Sequence, residues 1–509
     1  MLLHSRLILP ILLILAITSC TSPVSPSLTT LEDPIQIDSG LVSGITTDEI
    51  HIYKGIPFAA PPKGDLRWKP PQQVIPWQGI RQCTKFGPDP YQYKTTLASP
   101  SEAIDEDCLY LNVWTPAKKR SDQLPVMVWL YGGDFRFGAG SVALYDGTTL
   151  ALHGVIVVTF NYREGPIGFL AHPLLSKESE HNSSGNYGIL DQIAALKWVQ
   201  KNIAAFGGDP NCVTIFGESA GAISVACLMV SPLAKGLFHR AISQSLAEFG
   251  LFAHIRDNRR GISPAENMGI RLAKDLGCNS VFDPLAEMRA KSADEVMIAG
   301  KPPRSYLQSG YRYGPIVDGW VLTDLPLNLF KAGKQQDIPY LLGSNADEWS
   351  LFQFLLPANL ELFQSYINRP FEQVLTLYAF TCPAKAYATA MGKVPSKAYF
   401  YQFSRVPPGA TKLGAFHALE IGYVFGNLIP ILPTPDTEAY FNNDDRLLSE
   451  IMMNYWTQFA ATGDPNKNGL TLWTPYGVNG DQYLELGDTI QVKSHLSTEA
   501  CTLLQKLAR

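Results

Sequence analysis

Residues 213–221 read VTIFGESAG. The first four are apolar or β-branched without alternation, the pattern of a short strand covered on both faces. Gly217-Glu218-Ser219-Ala220-Gly221 follows at once and makes a G-x-S-x-G turn. A strand that reverses directly into a helix leaves room only for small residues beside the central serine, and it lifts the hydroxyl clear of the sheet. Chance alone yields about 0.2 such matches in a chain of this length, so the context matters more than the match. Here AGAISVACLMV (220–230) continues as an apolar, helix-compatible run. Working outward, VMVWL (126–130) and VIVVTF (155–160) have the same continuous strand character. Between them and the turn, 188–206 carries Ile193, Leu196, Val199 and Ile203 at helical spacing. Strand, helix and strand at these intervals predict the α/β class, a mostly parallel central sheet with helices on both faces. Further strands are expected at 338–342 and 398–403, and a closing helix at 447–461.

The 509 residues are 46% hydrophobic and 17% charged, which excludes a disordered chain. A net charge of −5 offers no basic face for nucleic acid, and no lysine-rich run suits an anionic membrane. A chain this long can bury a core without a metal or disulfide staple. No repeat or linker interrupts residues 34–509, so that span reads as one large domain.

The N-terminus reads as an address. Residues 1–19 hold Arg6 and an apolar run from Leu7 to Ile17, too short to span a bilayer comfortably and typical of a signal peptide. Ile17-Thr18-Ser19-Cys20 resembles a bacterial lipobox, which makes Cys20 the expected lipidation site. Residues 20–33 are rich in Ser, Thr and Pro, as a tether should be. The expected location is therefore outside the cytoplasm, in a bacterial cell envelope or secreted, with membrane contact only through an N-terminal lipid.

A serine is a weak nucleophile until a histidine takes its proton and a carboxylate fixes that histidine's tautomer. In chains built around such a turn the order is Ser, acid, His. Of the histidines beyond Ser219, His239 comes too soon, His254 has no suitable acid before it and His495 lies in a polar tail. His417, in GAFHALEIGYVFG, follows a strand and opens a helical segment. Asp318, Asp347 and Glu348 are acid candidates, and spacing leaves Asp347 and Glu348 undecided.

Nine ordered stretches across about 34–505 carry a resemblance. Among them are EDCLYLNVW (106–114), VMVWLYGGDF (126–135), GNYGILDQIAALKWVQKNIAAFGGDP (185–210), VTIFGESAG (213–221), LLGSNADEW (341–349) and FHALEIGYVFG (416–426). On these the chain resembles the type-B carboxylesterases of the α/β-hydrolase fold, the group that includes cholinesterases and bacterial para-nitrobenzyl esterases. The resemblance implies Ser219 as nucleophile, His417 as general base and acid, and Glu348 as the orienting carboxylate. It implies an oxyanion hole from the backbone amides of Gly133, Asp134 and Ala220, a buried Ser245 behind the site, and a disulfide between Cys83 and Cys108. Cys278 matches half of a second bridge whose partner is missing. Cys382 and Cys501 resemble the pair of a third bridge in cholinesterases, a pairing left open here. Cys212 and Cys227 read as packing residues. No Trp occurs between Cys83 and Cys108, which argues against an acetylcholine hydrolase, since that chemistry holds choline on an aromatic face. The Glu348–His417 interval looks short, so a trimmed cap and an open mouth are expected.

Three departures stand out. Asp134 falls where the family has glycine or alanine. A carboxylate about 5 Å from a developing oxyanion, at an effective dielectric of about 20, costs roughly 3 kcal/mol. The alternative is that it turns away and pairs with Arg136 or Arg163. Glu164 replaces an apolar residue and reads as a surface charge, with a second acid near the site as the other possibility. Leu246 stands where the family has glycine, which leaves the acyl pocket's shape open. No Cys/His cluster has zinc spacing, and 464–475, although it begins like a calcium loop, has Pro475 at its twelfth position, so neither metal nor cofactor is expected. The expected activity is hydrolysis of small to medium carboxylic esters through an acyl-enzyme. A catalytically weak, esterase-like binding protein and a lipase are the alternatives.

Overall fold

A computed structural model describes residues 31–507 apart from 48, 94–102, 248–251, 260, 279–282, 304–309, 355–368, 433–438 and 479. The signal peptide, Cys20 and all but the last residues of the tether lie outside the described residues, as does part of the short acid-to-histidine interval.

Strands β1 (Ile35–Ile37), β2 (Gly40–Ser43) and β5 (Ile80–Gln82) form a small three-stranded sheet. The main sheet has eleven strands: β3 (Ile45–Thr46), β4 (His51–Pro57), β6 (Tyr110–Thr115), β7 (Leu124–Leu130), β8 (Ile156–Phe160), β9 (Gly208–Glu218), β10 (Arg240–Gln244), β11 (Tyr340–Asn345), β12 (Ala398–Phe403), β13 (Gln482–Leu486) and β14 (Ile490–Ser494). Their order is β14-β13-β12-β11-β10-β9-β7-β8-β6-β4-β3. The seven strands from β8 to β13 run parallel, and antiparallel strands close both edges. This is the expected mostly parallel sheet, and the fold is the α/β-hydrolase fold.

The continuous apolar runs are buried for the reason read from them. Val126–Leu130, Ile156–Phe160 and Val213–Phe216 are covered on both faces. Trp129 of β7 packs against Phe216 of β9 and against Phe425, with ring centroids 4.8 and 5.1 Å apart. The β9 strand starts at Gly208, earlier than its apolar core suggests, because Leu124↔Gly208 pairing extends the ladder with β7. The closing helix starts at Asn443 rather than 447: Asn442 and Asp445 cap it reciprocally, a polar signal outside the apolar pattern.

The cysteines need a correction. Cys83 and Cys108 are separate buried thiols, not a bridge. The reason lies along β4. Lys54 N–H donates to the Cys83 carbonyl, whereas Phe58 N–H donates to Leu109, beside Cys108. Four residues of strand separate the two points, roughly 10–13 Å, beyond the ~7 Å between Cα atoms that a disulfide allows. Cys382 and Cys501 are the bonded pair, with Cα atoms 5.3 Å apart, and they tie the C-terminal helix Thr498–Leu507 to the helix Cys382–Ala390. Cys278 is a buried free thiol.

Candidate active site

Ser219 sits between β9 and the helix Ala220–Val230 with φ 55° and ψ −118°, a conformation ordinary residues avoid. Packing imposes it. A Cβ on Gly221 would lie 1.9 Å from the Leu130 carbonyl oxygen of β7, so the helix approaches the sheet more closely than any other residue permits. The residues on either side of Ser219 are buried, while Ser219 itself is partly exposed. The elbow thus presents a hydroxyl at the C-terminal edge of the parallel strands.

His417 comes from the turn before the helix Leu419–Phe425. Its Nδ1 is 2.5 Å from Glu348 Oε2, and the other Glu348 oxygen accepts from the Asn345 backbone at 2.7 Å. The three acid candidates now separate. Asp318 accepts from the backbone of Trp320, Val321 and Leu322 and from the Ser183 hydroxyl, so it ties its own loop to the one at Ser183. Asp347 accepts from Ala415 N–H while its own N–H donates to the Ala415 carbonyl, pinning the segment that leads to His417. Glu348 alone of the three reaches the imidazole. Phe352 and Phe380 flank the ring at 5.0 and 4.9 Å.

Glu218, the variable residue of the turn, was not singled out from sequence. Its Oε1 lies 3.0 Å from His417 Nε2, the nitrogen a serine would use. No Ser219–His417 hydrogen bond is present among the described residues, and Glu218 stands at His417 Nε2 instead. Catalytic contacts commonly tighten only with substrate bound. One signal was available: Glu218 occupies the same alternation as Phe216, in a strand buried on both faces.

Beneath this pair lies a further carboxyl. Glu420 accepts from Gln244 at 3.2 Å and from Asn345 at 2.5 Å, and Trp456 donates to Gln244. Burial and the Glu348 charge outweigh donation from Asn345 and Gln244 and push the Glu420 pKa up to about 7. Burial lifts Glu218 well above the usual carboxylate range. For His417, desolvation pulls down, but Glu218, Glu348 and Glu420 outweigh it and raise the imidazole to about 9. A histidine acting as a base works in its neutral form, and nearby carboxylates favour the charged form. Glu218→Gln should therefore shift the acidic limb of the kcat/KM profile to lower pH, by about one unit. An unshifted limb would show that Glu218 is already neutral there.

On the other side of Ser219 runs the loop Gly132–Phe137. A Cβ on Gly132 would stand 3.1 Å from the Ser219 Cβ, so this backbone abuts the serine. Gly133 has φ 123°, and a Cβ there would meet the Phe137 carbonyl at 1.8 Å. Asp134 continues in the left-handed region at φ 56°. Its carboxylate turns to Arg136, 2.6 Å from the guanidinium, with 37% of its side chain exposed. Arg163, the other cation considered, is committed to Asp191 in a fully buried pair. A paired, solvated carboxylate acts on the site as a small dipole, which reduces the roughly 3 kcal/mol penalty to about 1 kcal/mol or less.

Glu164 is not a surface charge. It is 0% exposed, with the Tyr131 and Tyr162 hydroxyls beside its carboxyl. The neighbouring Tyr131 and Tyr162 hydroxyls are turned to each other's backbone carbonyls. Burial therefore raises the Glu164 pKa well above the usual range. Gly165 N–H donates to the Phe135 carbonyl, so this buried acid sits directly behind the loop beside Ser219. Ser245 is buried with φ 53°, and its hydroxyl has no partner among the described residues. Leu246 beside it is buried too.

The arrangement provides a raised serine, a histidine oriented by a carboxylate, and a close-set backbone loop, the parts that acyl transfer uses. Comparison with known proteins agrees. The Carboxylesterase family matches residues 32–369 and 361–504. Fumonisin B1 esterase of Sphingopyxis macrogoltabida is 38% identical over 87% of this chain and 84% of its own. Para-nitrobenzyl esterase of Bacillus subtilis (strain 168) is 36% identical over 90% and 96%. The structure of a PNB esterase superposes with a TM-score of 0.79 at 32% identity, covering 92% of this chain and 99% of that one. The chain belongs to the carboxylesterase family and is a carboxylic ester hydrolase.

Proposed function

We propose that this esterase works through a Ser219–His417–Glu348 triad and an acyl-enzyme on small to medium carboxylic esters. The observation that carries the reading is the 2.5 Å His417–Glu348 contact set beside the strained elbow that presents Ser219. His417 takes the serine proton as Oγ attacks the ester carbonyl, then delivers it to the leaving alkoxide. Water repeats the sequence to free the acid. Glu348 keeps the Nδ1–H tautomer, so Nε2 is the basic nitrogen. Amides of Gly133, Asp134 and Ala220 receive the oxyanion, each worth about 3–4 kcal/mol if aligned. The test is turnover of para-nitrophenyl butyrate by the wild-type protein beside Ser219→Ala. A sharp rate rise on emulsified long-chain esters would instead favour lipase action. Binding without turnover would favour the esterase-like binder.

Arg136 serves here as the counter-charge to Asp134. Arg136→Ala should lower kcat by about tenfold or more by leaving a bare carboxylate beside the developing oxyanion. Asp134→Gly on its own should change kcat little, and adding it to Arg136→Ala should restore the rate. A double variant no better than Arg136→Ala would remove this assignment.

The N-terminal sequence supports an exported protein anchored through a lipid on Cys20. Intact mass of the purified mature chain should show acylated Cys20 as residue one. A mature chain that begins downstream of Cys20, without lipid mass, would refute it.

A further inference from the structure

The loop Gly132–Phe137 is held in a costly conformation. Asp134 and Phe135, two successive residues with a Cβ, both lie in the left-handed region, at φ 56° and 55°. Such residues are strained and persist only where their surroundings hold them. Within the loop, the Gly133 carbonyl accepts from Arg136 N–H and Phe137 N–H at 3.0 and 3.2 Å. The outer hold comes from the segment that begins at Glu164. Gly165 N–H donates to the Phe135 carbonyl at 2.8 Å. Phe169, at the end of the helix Gly165–Phe169, packs its ring against Phe135 with centroids 5.1 Å apart. At the other end of the loop, Tyr131 leads directly into Gly132. Its carbonyl accepts from the Tyr162 hydroxyl at 2.9 Å, and its own hydroxyl donates to the Tyr162 carbonyl at 3.2 Å. The two rings stack with centroids 4.4 Å apart. The fully buried Glu164 carboxyl lies beside both hydroxyls. Glu164 therefore meets the loop twice, through its side chain at Tyr131 and through the next residue's amide at Phe135. Burial favours its protonated form. That form has an O–H to donate, and a tyrosine hydroxyl that donates to a carbonyl still has lone pairs to accept it.

We infer that Glu164 is a positioning residue for the oxyanion hole: it clamps the loop at both ends, so that the Gly133 and Asp134 amides stay converged beside Ser219. The inference rests on the proposed triad and hole, and it adds a residue that touches neither substrate nor serine. A buried carboxyl is a costly way to fill this space, since leucine has a similar volume and no polar group to desolvate. Stability and loop geometry therefore pull in opposite directions at position 164.

The test is Glu164→Leu beside Glu164→Gln, each alone and combined with Asp134→Gly, on para-nitrophenyl butyrate. Glu164→Leu should lower kcat about tenfold with KM within about twofold, because the oxyanion forms only in the transition state. Outright loss of one oxyanion donor costs about 10²–10³, so tenfold is the scale of a misaligned one. The melting temperature of Glu164→Leu should equal or exceed that of the wild type. Glu164→Gln, which can still donate to a tyrosine hydroxyl, should keep kcat within about threefold of the wild type. Glycine takes a positive φ without strain, so in the Asp134→Gly background the cost of Glu164→Leu should shrink to about threefold or less. A trifluoromethyl ketone, whose adduct with Ser219 carries the oxyanion, should bind Glu164→Leu about tenfold more weakly, a readout independent of turnover. Unchanged kcat and ketone affinity in Glu164→Leu, with Ser219→Ala inactive, overturn this inference alone. A loss shared by Glu164→Gln and matched by a lower melting temperature, or a loss of equal size in the Asp134→Gly background, overturns it too, since packing alone predicts both. Hydrolysis that survives in Ser219→Ala removes the triad reading and this inference with it.

Discussion

Ser219→Ala is expected to abolish ester hydrolysis, lowering kcat by about 10⁵-fold or more while the fold persists. Removing a triad nucleophile costs about 10⁶ where it has been measured, because no other group can form the acyl-enzyme. The loss should be local. Backbone contacts hold the elbow: Ser219 N–H donates to the Gln244 carbonyl, Ile223 N–H donates to the Ser219 carbonyl, and the helix is pressed onto β7 at Gly221. None of these uses the hydroxyl. Thermal unfolding should therefore match the wild type within about 0.5 kcal/mol. Ser219→Gly should go further and stabilise by about 1 kcal/mol, since glycine relieves the strain at φ 55°. Robust residual hydrolysis in Ser219→Ala would place the chemistry elsewhere in the molecule.

Glu348→Gln should be almost as severe, a fall of about 10³–10⁴ in kcat with substrate affinity largely kept. The two carboxylate oxygens each accept a hydrogen bond, one from His417 Nδ1–H and one from Asn345 N–H. A glutamine of the same shape has one acceptor and one NH₂ group, so one contact must become donor against donor. If the amide oxygen stays with Asn345, His417 is driven to the other tautomer and Nε2 carries a proton toward the serine. A base that already holds its proton cannot take another, and a triad carboxylate converted to an amide costs about 10⁴ for this reason. Glu348 is fully buried, so the variant also strains its pocket. Circular dichroism and a melting curve separate that effect from catalysis. Glu348→Asp, which keeps the charge but shortens the arm, should retain more activity than Glu348→Gln. The reverse order would show that Glu348 only fills space.

Much of this architecture was legible in the chain. The strands of the parallel sheet stand out because covering on both faces demands unbroken apolar runs, and Val126–Leu130, Ile156–Phe160 and Val213–Phe216 are buried accordingly. The elbow stands out because only glycine fits against Leu130 at position 221. His417 was reachable by elimination, while the choice between Asp347 and Glu348 needed the family resemblance. The structure supplies the physical reason for that choice: successive side chains point in different directions, and one holds the loop while the other meets the imidazole.

Other features were hidden because they depend on partners distant in sequence. Glu164 reads as a surface charge from its own letter, but the loop at Phe135 and the Tyr131–Tyr162 stack bury it. Cys83 and Cys108 look like a pair, but strand register holds them apart, whereas Cys382 and Cys501, 119 residues apart, are brought together by helix packing. Sequence by itself determined the α/β class and the strand-to-helix turn at Ser219, because each is written in local periodicity or a local steric requirement. Only the tertiary structure decided which way the Asp134 carboxylate turns and that Glu218 meets His417. Those outcomes depend on distances between segments remote in the chain, and no local pattern encodes such distances.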